Sequence, residues 1–194
     1  MEHSIREKIV LATIECIEKE GINTVTIRSI GKEADVNSAA INYYFGSKDK
    51  LIEEAFDYIQ KDFMIDFTEI INRDKDLRTT VEELLTYMLK GLIEYPNIAK
   101  AVFYEPFINN KYDSIFITKL NTLCNELLNK INKQEGISNE ESNRNNIIQL
   151  IASGIFMGIF PCILKEFSNI DLRNDESLKR YIRNLSDMFV NAII

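Results

Sequence analysis

Histidine is almost missing from this 194-residue chain: His3 is the only one, and it sits beside a terminus. A Ser-His or Cys-His catalytic pair would have one badly placed base. The sequence has no H-E-x-x-H and no Gly-rich phosphate loop, so metal hydrolysis and nucleotide cradling lack their usual carriers. Cysteine is sparse too. Cys16, Cys124 and Cys162 are odd in number, far apart, and outside any C-x-x-C or Cys/His spacing. This argues against a disulfide framework and a zinc site, and predicts buried free thiols in a reducing cytosol. We therefore expect no enzyme, no metal and no cofactor; the many carboxylates lie on helix faces, as on a solvated surface.

Only 3 prolines and 7 glycines interrupt the chain, and it contains no low-complexity tract. No apolar run of signal-peptide type opens it, so a cytoplasmic location is expected. The longest apolar stretch, 147–164, is broken by Gln149, Ser153, Gly154 and Gly158. It falls short of the roughly 20 residues of a membrane span, and no Lys/Arg cluster flanks it. Positive charge is also short, with 23 Lys and Arg against 30 Asp and Glu for a net charge of −7. The first 50 residues hold seven cations (Arg6, Lys8, Lys19, Arg28, Lys32, Lys48 and Lys50) against eight carboxylates. Most of the acidity thus lies later in the chain, yet nothing here is a general polyanion binder.

Apolar residues recur at helical spacing almost throughout, and the prediction is all-α with about nine helices. A first helix over about 4–20 carries a wide stripe including Ile5, Ile9, Ala12 and Cys16. Two short helices follow. A long one over about 48–72 is expected to link head and body as a rigid lever. Further helices are expected over about 79–94, with Thr79 and Glu82 as a capping box, over 97–109 with a break near Pro106, and over 113–133. The last two are expected over 138–167, with Ser138 and Glu141 as a second capping box, and over 176–193.

The punctuation of 21–51 is the sharpest signal. Gly21 suits a helix C-terminus, where positive φ favours glycine. Thr26 can cap a short helix whose Ile27, Ile30 and Ala34 share a face. Asp35 stands at the turn, where it tolerates left-handed geometry better than most residues. Asn37 or Ser38 caps a second short helix running to Phe45, with Ile41 and Phe45 expected in the core. Gly46-Ser47 breaks it, and Ser47 caps the long helix, with Asp49 well placed for the helix dipole. Two short helices around a tight turn make the layout of a helix-turn-helix.

Thr26, Arg28, Ile30, Ala34, Val36, Tyr43, Tyr44, Phe45, Ser47, Lys48 and Leu51 match the pattern of the N-terminal domain of TetR-type transcriptional regulators, which the first 55 residues or so resemble. Gly31 stands where that family usually has Ala, and Asp35 where it usually has Gly. The resemblance implies a three-helix DNA-binding head, 1–47, on a helical ligand-sensing and dimerisation domain, 48–194. It implies that Asn37, Ser38, Ala39, Ala40, Asn42, Tyr43 and Tyr44 face the duplex. Arg28 would enter from the preceding helix, and Lys48 and Thr26 would meet phosphates. The chemistry agrees. Asn and Ser reach bases or phosphates, Ala40 suits a thymine methyl, and tyrosine hydroxyls suit phosphates.

Beyond the head the residues say less. Tyr87, Met88, Phe103, Tyr104, Phe107 and Phe116 are dense in aromatic character, as in a pocket for an apolar or aromatic effector. The apolar stretch 147–164 and the stripe of the last helix form a two-helix face, from which Ile151, Ile155, Gly158, Ile159, Tyr181, Leu185, Met188 and Phe189 are expected at a homodimer interface, as the resemblance implies. The expected function is a repressor that binds a palindromic double-stranded operator as a homodimer and is released by a small molecule. The alternative is a helical protein-binding module that has lost DNA recognition. A helical enzyme resting on His3 is a third and weaker reading.

Overall fold

The computed structural model describes residues 4–135 and 139–193, and among them every regular element is a helix. Eleven are present: α1 Ile5–Glu20, α2 Ile27–Glu33, α3 Ser38–Phe45, α4 Lys48–Asn72, α5 Leu77–Glu94, α6 Pro96–Val102, α7 Tyr104–Asn109, α8 Ile115–Glu135, α9 Glu140–Ile159, α10 Lys165–Ser168 and α11 Asp175–Ile193. His3 and Ser138, both weighed in the sequence, lie outside the described residues.

Two of the eleven arise where proline splits an expected helix. A proline at 106 has no N–H to offer the carbonyl of residue 102, and its ring crowds that carbonyl. The break accordingly falls at Phe103, and Pro106 sits in the first turn of α7, where no donor is required. Pro161 pushes Phe160 out of helical geometry (φ −121°, ψ 63°), so α9 stops at Ile159 and a short α10 follows. The capping box expected at Thr79 is replaced by an earlier cap. Asp76 accepts from the Thr79 amide at 2.9 Å and from its hydroxyl at 2.8 Å, and α5 starts at Leu77. These two bonds hold the Asp76 carboxyl below its ordinary pKa. For α9 the cap is Asn139, which accepts from the Ser142 amide at 3.2 Å.

The chain forms two compact units, Met1–Phe63 with Tyr95–Tyr112, and Met64–Glu94 with Asp113–Ile194. The division falls inside α4. In the first unit, Ile9, Ile17, Ile30, Ile41, Phe45 and Leu51 form a core that Ile98 of α6 completes. Glu18 of α1 receives the backbone amides of Asn97 and Ile98 at 3.1 and 3.0 Å, capping the start of α6. In the second unit α5 lies against α9 and α11, and α8 against α9. Phe67, Leu85, Leu89, Leu127, Ile131 and Ile147 are fully buried there. No helix among the described residues is long and apolar enough to cross a membrane.

Candidate nucleic-acid interface

Local bonds position the helix pair of the head. Thr26 and Ser29 cap each other reciprocally at the start of α2, with both amide-to-hydroxyl bonds at 3.0 Å. The turn runs through Ala34 and then Asp35, which takes φ 53°. Asn37, not Ser38, caps α3, its Oδ1 accepting from the Ala40 amide at 2.8 Å. Gly46 ends α3 at φ 77°, and Ser47 Oγ accepts from the Lys50 amide at 3.3 Å to start α4. Gly21 closes α1 at φ 83°.

One face of α3 is core: Ile41 and Phe45 are buried. The other is solvent. Asn37, Ser38, Ala39, Asn42 and Tyr43 are exposed, Tyr43 to 84 %, and Ala40 and Tyr44 are half-buried. The rings of Tyr43 and Tyr44 meet edge to face at 5.2 Å between centroids. Thr26 and Arg28 are exposed, and Lys48 is half-buried in the first turn of α4. An eight-residue helix fixed by two core side chains thus presents amides, hydroxyls and small methyl groups on an open face. That chemistry suits phosphates and major-groove edges.

Part of the head's charge is tied up within it. Lys19 bridges Glu33 at 3.0 Å and Glu15 at 3.4 Å, joining α1 to α2. The Glu33 carboxyl is held below its ordinary pKa, chiefly by the Lys19 hydrogen bond. Arg6 grips Glu54 of α4. It also donates to the Tyr44 carbonyl at 2.9 Å, beside an open cleft of about 290 Å³ that Arg6 lines with Tyr44, Phe45, Lys50, Glu53, Glu54 and Asp57. Nothing in the residue pattern singles out Arg6; a cation in the first turn of the first helix reads as ordinary surface.

The six residues expected to line an effector pocket are shared between the two units. Phe103, Tyr104 and Phe107 belong to the first unit, and Tyr87, Met88 and Phe116 to the second. Met88 is core, filling the space that Gly154 leaves. Phe107 is 65 % exposed on the short α7. Phe103 is buried, and Tyr104 stands partly in solvent. Tyr87 donates to Asp66 Oδ2 at 2.5 Å and packs edge to face on Phe67 at 5.2 Å.

The expected interface set also divides. Ile151 and Phe189 are buried within the chain. Gly158 is also interior: a Cβ there would come within 2.9 Å of Leu92 Cβ, so this glycine admits α5. Ile155, Ile159, Tyr181 and Leu185 are half-buried, and the Tyr181 hydroxyl reaches the Ser153 carbonyl at 3.3 Å. Met188 is 70 % exposed. A further outward row on α9 is Ile148, Ala152 and Phe156, continued by Phe160, whose ring lies 5.4 Å from that of Phe156. The i, i+4 spacing of Ile148, Ala152 and Phe156 makes that row legible on a helical wheel. Of the three free thiols only Cys16 is buried; Cys124 and Cys162 are partly so. Burial pushes the Cys16 and Cys124 thiols up.

Residues 9–55 match the model of bacterial regulatory proteins of the tetR family. The HTH-type transcriptional regulator BetI of Vibrio vulnificus is 36 % identical over 67 residues, 34 % of each chain. The match thus spans about a third of that relative's length. The nucleoid occlusion factor SlmA of Vibrio cholerae is 22 % identical over 140 residues, 69 % of this chain and 71 % of that one. Among solved structures, a transcriptional regulator of Rhodococcus sp. Rha1 superposes with a TM-score of 0.74 at 16 % identity, over 97 % of both chains. The regulator FadR of Bacillus subtilis, solved with stearoyl-CoA, gives 0.64 at 15 %, over 97 % of this chain and 99 % of that one. These two similarities of fold cover 97 % of the chain.

Proposed function

We propose that this chain, whose head is of the tetR family of bacterial regulatory proteins, is a DNA-binding transcriptional regulator that acts as a homodimeric, ligand-released repressor. The observation that carries the reading is α3: locked by Ile41 and Phe45, capped at both ends, and open along Asn37, Ser38, Asn42 and Tyr43. Arg28, Tyr43, Tyr44 and Lys48 supply phosphate contacts, and Ala39 and Ala40 leave room for the helix to approach base edges. Residues 1–47 read the operator; residues 48–194 sense and dimerise.

Dimerisation is supported by the row Ile148, Phe156, Phe160 and Met188, each at least 42 % exposed. Two copies place two α3 helices on half-sites roughly 34–36 Å apart, which makes the operator a palindrome. The effector is apolar or aromatic and binds in the helical domain 48–194. FadR carrying stearoyl-CoA on a similar fold supports that class. The effector acts by preferring a dimer whose head spacing no longer fits the operator.

A second reading, a module that binds protein and no longer DNA, is favoured by the slight acid excess of the first 50 residues. Selection from a random duplex library separates the two. An enriched two-fold-symmetric sequence, weakened by Tyr43→Ala and Lys48→Ala in folded protein, supports regulation; no enrichment supports the module.

A further inference from the structure

We propose that Arg6 is the positioning residue of the recognition helix: it ties the last turn of α3 to α4 and so sets the angle at which α3 meets a duplex. This rests on the DNA-reading function proposed above. One guanidinium touches three groups. Its Nη1 donates to the Tyr44 carbonyl at 2.9 Å, its Nε to Glu54 Oε1 at 2.7 Å, and its Nη2 to Glu54 Oε2. Its Cζ lies 4.7 Å from the centre of the Phe45 ring.

The helix needs such a tie. Eight residues are too few to hold a helix by backbone bonding alone. The N-terminal end of α3 has the Asn37 cap, and its middle has Ile41. At the C-terminal end the Asn42 carbonyl receives the Gly46 amide, and the Tyr44 carbonyl receives Arg6. A cation there also opposes the negative end of the helix dipole. Tyr44 follows Tyr43, which is 84 % exposed, so any tilt of this turn moves the reading face directly. The Arg6 and Glu54 side chains are 48 % and 36 % exposed. An ion pair that exposed adds little to global stability, so its consequence is geometric. Only a planar fork can serve the carboxylate and the carbonyl together; a lysine ammonium on its flexible stem cannot reproduce that arrangement.

The test starts from a duplex selected by the parent chain and compares Arg6→Ala, Arg6→Lys and Glu54→Gln at fixed salt. Amide exchange of residues 42–46 is followed in the free proteins, and affinity is measured for the selected and a scrambled duplex. For Arg6→Ala we expect exchange in the last turn of α3 to quicken about tenfold with the α1 core unchanged. We expect the selected-to-scrambled affinity ratio to fall about tenfold while scrambled binding stays within about threefold. Arg6→Lys should behave like Arg6→Ala, because it keeps charge without the fork. Unchanged α3 exchange, full rescue by lysine, or a parallel loss on both duplexes that tracks unfolding would each overturn the proposal. Should the parent enrich no duplex, DNA reading fails on that result alone. The exchange data then decide the clamp: quickened exchange supports it and unchanged exchange overturns it.

Discussion

Replacing Gly31 by alanine tests the geometry of the helix-turn-helix, because two physical effects predict opposite signs. Helix propensity alone favours alanine over a mid-helix glycine by about 1 kcal/mol. Packing opposes it. A Cβ on Gly31 would lie 2.8 Å from the Val36 carbonyl oxygen and 3.6 Å from Ile41 Cδ1. Comfortable carbon–oxygen contacts start near ~3.3 Å, so a backbone carbonyl must retreat by about half an ångström. That carbonyl is not free to move. The Val36 amide is bonded to the Gly31 carbonyl at 2.9 Å, and Asp35 before it holds positive φ. Overpacking of this kind costs about 1–3 kcal/mol. The balance is a net loss of about 1 kcal/mol, a fall in melting temperature of about 2–4 °C for a chain of this size. Asp35→Gly should stabilise by up to about 1 kcal/mol by removing left-handed strain. It should also soften the turn and absorb part of the alanine's cost, with a coupling of at least about 0.5 kcal/mol in the double-mutant cycle. That pairing, Ala at 31 with Gly at 35, is the pattern usual in the family the head resembles. Thermal and urea unfolding of the four chains by circular dichroism gives the values. A higher midpoint for Gly31→Ala would refute the close approach.

Three further outcomes follow from other sites. Asp76→Ala removes the α5 cap and should cost about 1 kcal/mol at neutral pH. Because the folded Asp76 pKa lies below its ordinary value of 3.8, this contribution is complete above that value and is lost as pH falls through the folded pKa. The gap between parent and Asp76→Ala in urea midpoints should therefore narrow in acid, while Asp76→Asn, which keeps an acceptor but cannot titrate, should start from a smaller gap at neutral pH and change by the same amount. Gly158→Ala should destabilise by about 1–3 kcal/mol through the clash with Leu92, read as a lower urea midpoint with an unchanged slope. Phe156→Glu with Met188→Glu should turn a sedimenting dimer into a folded monomer, since both side chains are largely exposed in the single chain; a dimer that survives removes this face from the interface.

The head was legible because its determinants are local. The roles of Thr26, Asn37, Ser47, Gly21 and Gly46 depend on neighbours within four residues, and the structure uses each as its residue type suggests. The body was legible only as helices. Which face of α9 turns inward depends on α5, whose Met88 and Leu92 fill the space at Gly154 and Gly158. The aromatic residues over 87–116 belong to two compact units, a division set by contacts distant in sequence. Arg6 escaped notice for the same reason: its partners, Tyr44 and Glu54, are 38 and 48 residues away.

The central claim is that α3 reads double-stranded DNA, and the most direct test is binding after selection. The parent chain is used to enrich a random duplex library at fixed salt, and the winner is titrated against the parent, Tyr43→Ala and Lys48→Ala. A palindromic winner is expected, with an affinity that drops about tenfold or more for each folded variant, the discrimination of one good contact. A library that yields no enriched sequence, or a winner bound equally by all three chains, would contradict it.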